Sequence, residues 1–135
     1  RADVERLIGL QEQMGFRNLR NESIKITSGD DYFQLVGVEN WGTGRFLKAG
    51  DLNRASKELN PEVFTLLMSH DPSHWEAEVI DHNHRFDLTL SGHTHGFQYG
   101  IEVAGLQWSP SKFRYPQWAG MYEKNERLIN VNRGF

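Results

Sequence analysis

The chain has no cysteine. A disulfide scaffold and thiolate metal sites are therefore excluded, and any metal must be held by His, Asp, Glu, Asn or backbone oxygen. No apolar run approaches the ~18 residues that would read as a membrane-spanning helix. Charge of one sign is also scarce: the formal net charge is −3, which excludes nucleic-acid binding through a bulk positive field. With 4 prolines, no Pro/Ser-rich linker divides the chain, and no internal repeat or low-complexity stretch appears. Gly42-Thr43-Gly44 is too short and wrongly placed for a dinucleotide fingerprint, which needs a strand before it and a helix after it. Hydrophobic residues are sparse at 38%, but the 12% aromatic content separates the chain from disordered acidic sequences. At 135 residues it reads as one domain, residues 1–135, with a core of its own.

The elements alternate in type. Asp3 to Met14 has Val4, Leu7, Ile8 and Leu10 at helical spacing, with Gly15 as a stop. Asn21 to Thr27 and Tyr32 to Val38 read as strands around Ser28-Gly29-Asp30-Asp31, a hairpin signal. Glu39 to Gly50 is a Gly-punctuated loop holding Trp41 and Arg45, and Asp51 caps a short helix to Leu59. The run Val63 to Met68 has the length and flanks of a strand buried on both faces. Pro72 opens a helix to about Ile80. Asp87 to Ser91, Gln98 to Val103, Gly120 to Tyr122 and Leu128 to Asn132 read as later strands, with Glu123 to Glu126 a hairpin turn.

The histidines are the first functional signal, because all 6 fall from His70 to His95. Val63 to His95 reads as strand, helix, strand, a unit that makes two parallel strands through a right-handed crossover. Parallel strands end on one edge of the sheet, where α/β proteins bind ligands. His70 follows the first strand, and His93 and His95 follow the second, so all three imidazoles are delivered to one rim. Gly92 and Gly96 flank His93-Thr94-His95 and permit a sharp turn, so the two rings either share a face, as in an extended segment, or are splayed toward two neighbouring metals. Asp71 either orients His70 as an acceptor or caps the following helix. His74, on the predicted helix, and His82 and His84, in the loop after it, read as solvated surface. Trp108, Phe113, Tyr115, Trp118 and Tyr122 crowd a Pro-containing segment with Lys112 and Arg114. They read as packing onto a second sheet, the alternative being a border of the site that meets a substrate phosphate or an anionic membrane surface.

Leu66-Leu67-Met68-Ser69-His70-Asp71-Pro72, followed by Asp87-Leu88-Thr89-Leu90-Ser91-Gly92-His93-Thr94-His95-Gly96, resembles the last two of five ligand blocks in the calcineurin-like metallophosphoesterases. These blocks are a lone His after a buried strand and a Gly-His-x-His one βαβ unit later. The tail from Leu128 to Phe135 resembles the strand that follows in bacterial members. The resemblance implies an α/β fold, here half of a mixed β-sandwich flanked by helices. It implies two divalent ions (Mn, Fe, Zn or similar) in the intact enzyme, with His70 and His93 on one and His95 on the other. The implied reaction is hydrolysis of a phosphomonoester, phosphodiester or pyrophosphate by a metal-activated hydroxide.

The blocks Asp-x-His, Gly-Asp-x-x-Asp and Gly-Asn-His-Asp/Glu are missing. Gly29-Asp30-Asp31-Tyr32-Phe33 and Gly50-Asp51-Leu52-Asn53-Arg54 imitate the second but place Phe33 and Arg54 where an aspartate is needed; they read as turn and cap. The chain is thus expected to be the C-terminal portion of such an enzyme, inactive alone. Its exposed sheet is expected to meet the missing N-terminal half or a second copy. Two other readings compete: a non-catalytic binding module retaining the His block, and a hydrolase with His70, His93 and His95 on a single zinc. The substrate and compartment are not legible.

Overall fold

The computed structural model describes residues 2–42, 48–94, 101–103, 106–108 and 116–132. Helix α1 (Ala2–Gln13) has Asp3 and Glu5 in its first turn, where they complement the helix dipole. It ends as predicted at Gly15, whose φ of 90° lets Gly15 N donate to Glu12 O (2.9 Å) and Phe16 N to Gln11 O (3.0 Å). Strands β1 (Glu22–Ser28) and β2 (Asp31–Gly37) form an antiparallel hairpin. Its turn is tighter than the sequence suggested, because Ser28 pairs with Asp31 and only Gly29, with φ 61°, and Asp30 lie between them. Asp51 caps α2 (Leu52–Ser56) by accepting from Arg54 N at 2.8 Å, so this Gly-Asp imitation is a cap.

Strand β3 (Thr65–Met68) leads into a helical segment whose Trp75–Val79 portion is a π-helix, closed by Ile80 N to Trp75 O at 3.0 Å. An α-helix was expected over this stretch. The wider turn instead brings residues five apart to the covered side, and His74, Trp75, Val79 and Ile80 are all buried. Strand β4 (Leu88–Ser91) follows. Strands β5 (Ile101–Val103) and β6 (Leu106–Trp108) form a separate antiparallel pair, of which the sequence pattern had given only the first. Strands β7 (Gly120–Lys124) and β8 (Arg127–Val131) form the last hairpin. Both of its turn residues, Asn125 and Glu126, have positive φ (52° and 57°), as a type I′ turn requires.

The main sheet has six strands in the order β1-β2-β3-β4-β8-β7. The pairings β2–β3, β3–β4 and β4–β8 are parallel, and β1 and β7 close the edges antiparallel. The chain is therefore a mixed α/β structure. Val36, Leu67, Ile129 and Val131 face Leu52, Ala55, Trp75, Val79, Ile80 and Phe86 in one core.

The opposite face corrects the reading of Val63 to Met68 as doubly buried. The strand starts at Thr65, Thr65 and Leu67 are buried, Leu66 is half-buried and Met68 is exposed. The physical reason is that the covering helices lie on one side only. Leu35, Leu66, Leu88 and Leu128 form a half-buried cross-strand row on the other side. Beside that row stand the exposed Met68, Leu90 and Met121. No helix among the described residues is long and apolar enough to cross a membrane.

Candidate functional site

The parallel strands converge on one rim. Past β3, Ser69 N donates to Leu90 O (3.0 Å); past β4, Gly92 N donates to His70 O (3.1 Å) and Asn132 N to Ser91 O (2.8 Å). This ladder fixes the two turns side by side, as the βαβ argument required. His70 and His93, 23 residues apart in sequence, meet with His93 Nδ1 3.2 Å from His70 Nε2. The rings are 5.0 Å apart at 84°, edge to face. His95 lies outside the described residues, as do Gly96, Arg45, Phe97, Lys112, Phe113, Arg114 and Tyr115.

The sharp turn expected from the flanking glycines falls on His93 itself, whose φ is 64°. Thr94 N reaches back to Gly92 O at 2.7 Å, so His93 is the centre of a three-residue turn. Such a turn with positive φ is rare and strained for a side-chain-bearing residue. It is held from beyond by the buried Thr94, whose hydroxyl donates to Trp118 O at 2.8 Å. Next to the imidazole pair is a groove of ≈ 440 Å³ lined by Gly37, Val38, Met68, Ser69, Leu90 and Gly92 among others.

Two imidazole nitrogens sharing one ion at ~2.0–2.1 Å stand about 2.9–3.4 Å apart at octahedral to tetrahedral angles. The observed 3.2 Å fits that spacing, and a pair of imidazole nitrogens suits Zn or Fe. Among the described residues no group of three or more His, Cys, Asp and Glu side chains is placed to hold a metal ion.

Of the two roles the sequence left open for Asp71, orienting His70 or capping the following helix, its contacts are those of the cap. Its Oδ1 accepts from Ser73 N (2.9 Å) and Ser73 Oγ (2.5 Å). The reading of the other histidines as solvated surface fails. His74 is fully buried, stacked on Trp41 (5.4 Å, 16°), with Nδ1 2.8 Å from Ser69 Oγ and Nε2 3.3 Å from Glu78. Burial pushes its pKa below the ordinary 6.5, partly opposed by Glu78 and Asp71. His82 and His84 are half-buried against Phe86, and His84 Nε2 lies 3.0 Å from Thr65 Oγ1. The pattern missed them because what buries them lies far off in sequence or across a loop: Trp41 for His74, and the core residue Phe86 for His82 and His84. Of the aromatic group, Trp118 is buried and Tyr122 packs on the core.

The chain is 29% identical over 122 residues to the uncharacterized metallophosphoesterase YkuE of Bacillus subtilis, spanning 89% of this chain and 40% of YkuE. It is 26% identical over 143 residues to the UDP-2,3-diacylglucosamine pyrophosphatase LpxG of Chlamydia trachomatis, spanning 95% of this chain and 38% of LpxG. No family model and no solved structure matches the chain. The chain thus spans about two-fifths of the length of these curated relatives. Their likeness supports a phosphoesterase-type function at the level of the family and no finer.

Proposed function

We propose that this chain is the C-terminal portion of a metal-dependent phosphoesterase, and that His70 and His93 are ligands of one divalent ion. The observation that carries the reading is the 3.2 Å approach of His70 Nε2 to His93 Nδ1 at the C-terminal rim of parallel strands. His95, two residues past His93, would serve a second ion. When bound, such ions lower the pKa of an attacking water and stabilise the charge that develops on phosphorus. The residues of this chain hold and orient: the strand ladder sets the two turns, and the strained turn aims His93. The substrate is a phosphomonoester, phosphodiester or pyrophosphate.

The remaining ligands would come from the N-terminal portion of a longer protein, in keeping with the length of YkuE and LpxG. That portion would cover the apolar sheet face of Leu66, Met68, Leu88, Leu90, Leu128 and Met121. Parallel sheets occur almost only with both faces covered.

Calorimetric titration of Zn²⁺ and Mn²⁺ into the chain tests the site. We expect saturable binding near one ion per chain, lost in both His70→Ala and His93→Ala. No saturable binding, or binding indifferent to both substitutions, refutes the ligand assignment. The residues encoded upstream are expected to carry the Asp-x-His, Gly-Asp-x-x-Asp and Gly-Asn-His blocks. Their absence there favours the non-catalytic module.

A further inference from the structure

We infer that His74 is a positioning residue: its hydrogen bond with Ser69 latches the turn that displays His70 and holds that imidazole against His93. The inference rests on the metal-ligand reading of His70 for its consequence, but the latch itself is read from geometry. Residues 69–74 leave β3 and enter the π-helical segment, and within them Ser69, Asp71, Pro72 and His74 are buried while His70 is exposed. The side-chain bond from Ser69 Oγ to His74 Nδ1, 2.8 Å, joins the two ends of this turn. His74 N to Asp71 O (3.2 Å) closes it from within, and Ser69 N to Leu90 O (3.0 Å) pins its start to β4. His70 is the one exposed residue of the segment.

The direction of the latch follows from its partners. The Glu78 carboxylate is an acceptor only, so the His74 proton sits on Nε2. Nδ1 is then an acceptor, and the Ser69 hydroxyl donates to it. The ring is stacked on Trp41, and Lys48 Nζ lies over the Trp41 ring at 4.0 Å from its centroid. The loop carrying Trp41 is tied by Asn21, which accepts from Glu39 N (3.1 Å) and Asp51 N (2.9 Å) and donates to Ala49 O (2.8 Å). The latch therefore runs from the surface carboxylate Glu78, through a buried ring, to the residue before His70.

Two near-isosteric substitutions separate a latch from mere core packing. In His74→Asn the side-chain oxygen falls near Nδ1 and keeps an acceptor for Ser69. In His74→Gln the amide reaches toward Nε2 and Glu78 and leaves Ser69 without its partner. Both lose the ring and its stack equally. The metal-free chain, ¹⁵N-labelled at histidine, is examined by NMR for the cross-ring contact between His70 and His93. We expect it in the wild type and in His74→Asn, and its loss in His74→Gln and Ser69→Ala. Zinc affinity should follow the same order, falling on the order of 10-fold in His74→Gln and Ser69→Ala. Ser69→Ala removes a single oxygen and keeps the test decisive if the His74 variants fail to fold. A contact absent from the wild type, a contact unchanged in Ser69→Ala, or equal behaviour of Asn and Gln overturns the latch. The expected NMR order in a chain that takes up no zinc supports the latch and overturns the ligand reading instead.

Discussion

Acid should destabilise this fold before its carboxylates titrate, and His74 should be the main cause. Its side chain is 0% exposed, and desolvation lowers its pKa from the ordinary 6.5; Lys48 adds to the effect, and Glu78 and Asp71 oppose it. The unfolded chain takes up a proton near that ordinary value, whereas the folded chain resists it. The stability His74 contributes is therefore complete above 6.5 and is lost as pH falls toward the depressed folded value. With one proton separating the states, the slope approaches about 1.4 kcal/mol per pH unit. Between pH 7.5 and 5.5 the loss reaches about 1.4 kcal/mol if the folded ring stays neutral throughout. Guanidinium unfolding at pH 7.5, 6.5 and 5.5 measures it, with His74→Gln as the reference. The variant should be the less stable protein at pH 7.5, and its deficit should shrink toward pH 5.5, by at most about 1.4 kcal/mol. His84, whose pKa burial also lowers, titrates in both proteins and cancels in the difference. A deficit that stays constant with pH would show that the His74 site accepts the proton without strain, and the reasoning would fall.

Gln34→Ala should cost about 2–4 kcal/mol in the same assay. Gln34 Nε2 donates to Asn60 O (2.9 Å) and Thr65 Oγ1 (2.9 Å), its Oε1 accepts from Asn60 N (2.7 Å), and it is buried. A loss under about 1 kcal/mol would mean that water replaces it. On the open sheet face, Met68→Lys with Leu90→Glu should leave this chain's stability within about 0.5 kcal/mol, since both side chains are exposed. On the proposed reading of the chain as a C-terminal portion, the same pair should prevent its association with the proposed N-terminal portion in size-exclusion chromatography. Severe destabilisation of the chain alone would show that the face is already covered within it.

What the sequence shows well is what depends on chain order. The strand, helix, strand spacing from Thr65 to Ser91 was sufficient to place His70 and His93 on one rim, because handedness and parallel pairing leave little choice. The hairpin at Gly29 and the cap at Asp51 were legible because each rests on one residue's local chemistry. The missed features depend on what lies across the core. Nothing in the order Ser69…His74 says that the second will turn inward beneath the first, since that requires the wider π turn and the indole of Trp41. The continuous apolar run that contains β3 could not say that one of its faces stays open. The sharp turn was expected from the flanking glycines, yet its positive φ falls on His93, where the ladder to β8 and the Thr94–Trp118 bond override local preference.

That last misplacement bears on what the rim is for. A positive φ at a residue with a side chain costs of order 1–3 kcal/mol and persists only where surrounding contacts over-determine it. Here the contacts are present: His93 is held by Thr94, and the turn bearing His70 by Ser69 and His74. A chance pair of surface imidazoles has no reason to be clamped from two independent directions. On the ligand reading proposed above, two imidazoles already held at the spacing of a shared ion spare that ion the cost of ordering them, which is the general advantage of a preorganised site. Relaxing either clamp should therefore weaken metal binding more than it weakens the fold, whereas truncating Phe86, at the centre of the core, should do the reverse.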